Sequence, residues 1–253
     1  MNRAQSDAIG FVLVFSLIAL TIGAVYATGF TALTDLRTGE QLENMERAFD
    51  VLDDNVDDIV RDGAPGRATE IKLNGGTLAV EGRANVTVEA TNTSDTAENF
   101  TVTAATRPIT YSDGDTTVAA SFGTVIRSDG DAAVMRDGPG WLVDDERAVL
   151  PLTVTTRPGS RSAIGGSSTV LVAMDATSRG IARELDAGSD GPIRVNVTVE
   201  SPRADAWERY FESLDDGTVI EGTEDGSADS VTYQVEVDRV VVPRTTIRVR
   251  LER

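Results

Sequence analysis

Twenty-six consecutive residues, Ala8–Leu33, carry no charge, no proline and no amide side chain. As a helix rising about 1.5 Å per residue they span roughly 39 Å, more than the ~30 Å hydrocarbon core of a bilayer. No other stretch of the 253 residues comes near this length of apolar sequence. The expectation is a single-pass protein of the cell membrane whose polar remainder lies on one side. A secretory signal has an apolar region of only about 7–15 residues, although Val25-Tyr26-Ala27 offers a cleavage site for that alternative.

The apolar helix is expected to continue beyond the membrane. Leu42, Met45, Phe49, Leu52, Val56 and Ile59 recur at alternating steps of three and four, the 3.5-residue period of a helix with one apolar stripe. Glu43, Glu46, Arg47, Asp50, Asp53, Asp54, Asp57 and Asp58 interleave with them. Such a stripe on an acidic rod must bury itself against something. Asp62-Gly63-Ala64-Pro65-Gly66 ends the helix, and Thr38 with Gln41 offers a capping box where the rod could kink near Gly39.

From Arg67 the period falls to two, the mark of half-buried strands. The runs at 69–73, 77–81, 84–91, 99–106, 116–122, 148–155, 169–174, 193–200, 231–242 and 245–251 read as strands. Asn74-Gly75-Gly76, Asp113-Gly114, Asp129-Gly130 and Asp137-Gly138-Pro139-Gly140 read as turns. One helix interrupts them over 202–214, with Ser201 as its cap, Pro202 in its first position, and Trp207, Tyr210, Phe211 and Leu214 on one face. The fold class expected is therefore α+β. A long N-terminal transmembrane and amphipathic helix precedes a mainly antiparallel β domain, with two packed sheets as one arrangement the strand number allows. The expected divisions are 1–7 as a short cytoplasmic end, 8–33 as the transmembrane helix, 34–62 as its amphipathic continuation and 63–253 as an extracellular β-rich domain.

Composition narrows the function classes. The formal net charge is −18, from 41 acidic and 23 basic residues, and Lys72 is the only lysine. Phosphate backbones need a basic surface, so nucleic acid is not an expected partner. A solvated acidic surface almost without lysine suits an extreme halophile. There is no cysteine or histidine, which removes disulfides, thiolate nucleophiles and histidine bases or metal ligands. No nucleophile elbow, P-loop or dinucleotide fingerprint occurs, and no cofactor is expected. A membrane-tethered hydrolase would have to draw on paired carboxylates such as Asp144-Asp145, whose neighbours point in different directions. The expectation is a protein that is not an enzyme.

Four Asn-x-Ser/Thr triplets, at Asn85, Asn92, Asn99 and Asn196, are candidate N-glycosylation sites and set the expected orientation, N-terminus inside and body outside. Ser112-Asp113-Gly114-Asp115 and Ser128-Asp129-Gly130-Asp131 are duplicated acidic turns, hairpin turns before they are calcium loops. Within the anchor, Ala19, Gly23 and Ala27 fall four apart and form a shallow face for close helix packing, as ordinary membrane-helix composition also does.

Arg3-Ala4-Gln5-Ser6-Asp7-Ala8-Ile9-Gly10, running directly into the apolar segment, resembles the start of haloarchaeal type IV pilin-like proteins. Arg61–Glu70 is similar to a segment of uncharacterised members of that group, so the resemblance covers about the first seventy residues. It implies processing by a prepilin peptidase at Arg3, Ala4 and Gln5, with the cut after Ala4. Asp7 stands where members commonly carry proline. It also implies a long helix whose outer half lies across an antiparallel sheet, and partners that are further copies or other pilin-like subunits. The functions expected are a pilin-like surface protein, a minor pilus subunit among them, or a non-polymerising single-pass surface protein for adhesion, envelope structure or ligand binding.

Overall fold

The structure, a computed structural model, describes residues 3–159, 162–188, 191–214, 216–221 and 229–253, with backbone alone for 3–8, 29–38 and 221. Helix α1 covers Arg3–Val60. No proline precedes Pro65, so nothing in the sequence withholds a backbone N–H from this helix. It runs through Thr38 and Gly39, and the capping box at Thr38 marks no helix start. After it come β1 (Gly66–Lys72), β2 (Thr77–Val80), β3 (Ala84–Asn92), β4 (Asn99–Thr106), β5 (Ile109–Asp113), β6 (Thr116–Ser121), β7 (Thr124–Asp129) and β8 (Ala132–Asp137). Then follow β9 (Leu142–Val143), β10 (Arg147–Val149), β11 (Leu152–Thr156), β12 (Ala163–Gly165), β13 (Thr169–Asp186) and β14 (Ile193–Glu200). Helix α2 (Ala204–Glu212) precedes β15 (Thr218–Glu221), β16 (Ser230–Val237) and β17 (Arg239–Glu252).

The fold is an N-terminal apolar helix followed by a mostly antiparallel β-rich domain that includes the short helix α2. Among the described residues its strands form three sheets. The first has the order β1-β13-β17-β10-β9, with β11 also on β17; the second is β12-β2-β5-β6-β7-β8; the third is β15-β16-β14-β3-β4. The exceptions to antiparallel pairing are β10 and β11, both parallel to β17. Asp113-Gly114 and Asp129-Gly130 are true hairpin turns, each glycine at φ 58°, in the left-handed region that favours glycine. Asn74-Gly75-Gly76 and Asp137-Gly138-Pro139-Gly140 instead carry the chain from one sheet to another.

The chain divides into two compact units, Met1–Asn44 and Met45–Arg253. The boundary falls inside α1 rather than at its end, because the last sixteen residues of the helix are packed into the β-rich body. A hydrophobic cluster in that body contains Val86, Val88, Val195, Val197, Val231 and Val235 of the third sheet, Val240 and Val242 of β17, and Trp207 and Phe211 of α2. Outside it, Met45, Phe49, Leu52, Val56 and Ile59 of α1 and Ile71, Ile109, Val172, Ile247 and Val249 of the strands are also buried. In β17 the even-numbered Val240 and Val242 enter the cluster, and the odd-numbered Ile247, Val249 and Leu251 are buried outside it. Alternate residues of a strand face opposite sides, so the buried face changes along its length.

Two local expectations are revised. The run 231–242 is two strands, since a bend at Asp238 separates β16 of the third sheet from β17 of the first. Helix α2 begins at Ala204, not at Pro202: Arg203 is its N-cap residue, and the Ser201 hydroxyl accepts from the Arg203 N–H at 3.2 Å. Ser201 and Pro202 thus build the turn before the helix.

Candidate functional site

The first unit is helical throughout its described residues, and over residues 9–28 its side chains are exposed. Its large apolar residues from Ile9 to Tyr26 are 51–73 % exposed. Ile9–Thr28 is long and apolar enough to cross a membrane by length and composition. The Thr21 and Thr28 hydroxyls donate back to the carbonyls of Ile18 and Ala24, both at 2.9 Å, so these side chains need no water. Ala19, Gly23 and Ala27 are exposed on this segment, and a Cβ built on Gly23 would meet nothing within 4 Å. The side chains of Arg3, Ala4 and Gln5 lie outside the described residues; their backbone is the first turn of α1.

The second unit seats the other end of the helix. Met45, Phe49, Leu52, Val56 and Ile59 are all buried, three of them completely. Leu42, the first residue of the stripe, belongs to the first unit. Beside the stripe runs an acidic row: Glu46, Asp50, Asp53 and Asp57. Glu46 is buried and accepts from Arg127 of β7 and Arg136 of β8, both at 2.9 Å. Asn55 donates to Thr69 of β1 at 3.0 Å, and Arg67 pairs with Asp58 at 2.8 Å. At the end of the helix, the Arg179 guanidinium donates to the carbonyls of Ile59 and Ala64, at 2.5 and 3.2 Å. A cation there complements the negative end of the helix dipole.

The row is not uniformly neutralised. Burial, reinforced by the carboxylates of Asp57, Asp137 and Asp54 and opposed by Arg61, pushes Asp53 up to about 7. Burial also raises Asp50 and Asp57, against Arg136 and Arg61 respectively. The helix is therefore seated by apolar area and by Glu46, while the remaining carboxylates oppose the seat when ionised.

The sequon asparagines occupy different surroundings. Asn99 is exposed, and its Nδ2 donates to Thr96 O at 2.8 Å; Asn196 is half-buried and accepts from Gln234. Asn85 is half-buried, with its Nδ2 on Glu200 Oε2 at 2.7 Å. Asn92 is a correction. It is 0 % exposed, and its Oδ1 accepts from the N–H groups of Ser94 and Asp95, so the folded chain leaves no room for a glycan there.

The duplicated acidic turns adjoin each other, with Gly130 N–H donating to Asp115 O. The Asp129 carboxylate accepts from Thr116 at 2.6 Å and Arg127 at 2.9 Å, which holds it below the usual carboxylate range. Among the described residues no group of three or more His, Cys, Asp or Glu is arranged to hold a metal ion. The face of α2 stacks into an aromatic group with Trp141 and Tyr233: Trp141 lies 5.4 Å from Trp207, and Phe211 lies 5.2 Å from Tyr233.

Sequence reasoning missed the roles of Arg127, Arg136 and Arg179, which lie 81, 90 and 120 residues from their partners on α1. The one available signal was Glu46, which sits immediately beside the stripe.

The chain belongs to the family of unknown function DUF7289, whose model matches residues 3–250. No curated protein and no solved structure matches it.

Proposed function

We propose that this member of the family is a pilin-like surface protein, held in the cell membrane by Ala8–Leu33, with its N-terminus inside and its acidic β-rich body outside. One observation carries the anchoring: the apolar half of α1 carries large side chains that are 51–73 % exposed, while its threonines satisfy their own hydroxyls. Hydrocarbon is the solvent that suits such a surface. The pilin-like part of the reading is supported by the Arg3–Gly10 sequence and by one helix that is lipid-compatible at one end and buried in a β domain at the other. The exposed Ala19, Gly23 and Ala27 face allows close approach of a second helix, as a minor pilus subunit requires. A non-polymerising surface protein for adhesion, envelope structure or ligand capture uses the same anchor without that face.

Mass spectrometry of the protein recovered from cell membranes tests the reading. A mature chain beginning at Gln5 is expected; an intact Met1–Ala4 leader would count against processing. Replacing Ala19, Gly23 and Ala27 with leucine is expected to remove the protein from the sheared filament fraction while leaving it in the membrane. Equal recovery of wild type and variant in filaments would sink the assembly role, and absence of the wild type from filaments would favour the non-polymerising alternative.

A further inference from the structure

A cavity of about 380 Å³ opens between the outer face of the second sheet and the turn that leads into α2. That is within the size range of small-ligand sites, about 300–1,000 Å³. Its wall has an unusual chemistry for a chain of net charge −18. Arg83, from the β2–β3 connection, and Arg203, at the N-cap of α2, both line it. Among the described residues neither has a carboxylate within 4 Å, and the one side-chain bond of Arg203 runs from Nε to the Ser128 hydroxyl at 3.2 Å. Between them lie hydroxyls: Thr110 and Ser112 of β5 and Thr117 of β6, the last two 3.3 Å apart. Glu81 is the acidic group in the wall.

The neighbouring cavity beside α2 provides the contrast. It too is lined by two arginines, Arg136 and Arg209, but these are already engaged with Glu46 and with Asp205 and the Ala133 carbonyl. In the Arg83–Arg203 cavity, among the described residues, neither cation is in an ion pair. Burial lowers the Arg203 guanidinium from its ordinary value, the mark of lost solvation. A planar guanidinium fork matches an oxyanion in a bidentate manner, and hydroxyl donors complete the set. Among the described residues the wall holds no aromatic or long aliphatic side chain.

We infer that this cavity is an oxyanion-binding site, in which Arg83 and Arg203 hold a carboxylate or sulfate group against the Thr110, Ser112 and Thr117 hydroxyls. The group arrives as a free ion or on an acidic sugar. The site does not depend on how the chain is anchored or whether it polymerises.

The test is calorimetric titration of the full chain in detergent with sodium sulfate and with sodium glucuronate, ionic strength held constant with chloride. Saturable binding of at least one probe is expected. Arg83→Gln, an exposed loop change that leaves the fold intact, should weaken it about tenfold, as loss of one charge-assisted contact does. Arg203→Gln should do the same, its folding checked by thermal unfolding, and Arg248→Gln, outside the cavity, should change nothing. Glu81→Gln should tighten binding, a direction that mere structural damage does not produce. Binding of sulfate alone identifies a free ion, and tighter binding of glucuronate identifies an acidic sugar. No saturable binding of either probe, or binding that Arg83→Gln leaves unchanged, would overturn the inference.

Discussion

The two ends of α1 are made from similar apolar residues and come to opposite environments. Phe15 is 64 % exposed and Phe49 is 0 % exposed, on the same helix. Ile9–Thr28 is apolar on all sides, so no face is singled out for the body to cover. Met45–Val60 is apolar on one stripe and acidic elsewhere, so one face alone can be buried in a water-facing domain. Helix propensity does not distinguish the two ends. Their distinction lies in how the charges are distributed around the axis.

The sharpest break in this comparison is a matched pair of truncations. Phe49→Ala should destabilise the detergent-solubilised chain by about 3–5 kcal/mol, whereas Phe15→Ala should change body stability by less than about 0.5 kcal/mol. Denaturant unfolding followed by the fluorescence of Trp141 and Trp207 reads both. Equal effects would mean that the seat does not hold the helix.

A smaller effect concerns the acidic row. The unfolded Asp53 carboxyl titrates near 3.8 and the folded one near 7, so the folded state binds its proton more tightly. Stability is then fully present below the lower value and is lost as the pH rises through about 7. The raised Asp50 and Asp57 carboxyls act in the same direction. Between pH 5 and pH 8 the wild-type chain should lose stability, on the order of 1–3 kcal/mol, and Asp53→Asn should flatten most of that slope. Unfolding midpoints at constant salt measure it; a parallel slope in the variant would remove Asp53 from the account.

Glu46→Gln should cost least, about 1–2 kcal/mol. Arg127 and Arg136 lose an ion pair but remain about a third exposed, and Arg127 keeps Asp129. The loss should shrink in high salt only slightly, because Glu46 itself is buried.

Much of the fold was legible because the residues that signal it are local. The stripe from Leu42 to Ile59 announced a helix with one face to bury, and its Met45, Phe49, Leu52, Val56 and Ile59 are buried. The alternation Ile247, Val249, Leu251 announced a strand with one buried face. Asp113-Gly114 and Asp129-Gly130 announced hairpins, since type of turn follows from the two residues that make it. Legibility ended where partners are distant. Asn92 reads as a sequon like Asn99, and its burial depends on the fold around it. Nor does anything near Pro202 reveal that Arg203 lies over Ser128, or that Arg83 shares its cavity.

The sequence by itself determined the periods: an uninterrupted apolar span, a 3.5-residue stripe, and then alternation by twos. These follow from geometry each residue imposes on its neighbours. The tertiary structure decided the rest: the sorting of the described strands into three sheets, the burial of opposite faces of β17 along its length, and the pairing of Glu46 with Arg127 and Arg136. It also decided which arginines, among the described residues, stand in no ion pair. Charge compensation is a property of side chains brought together from distant parts of the chain, and so it appears only when the strands are laid side by side.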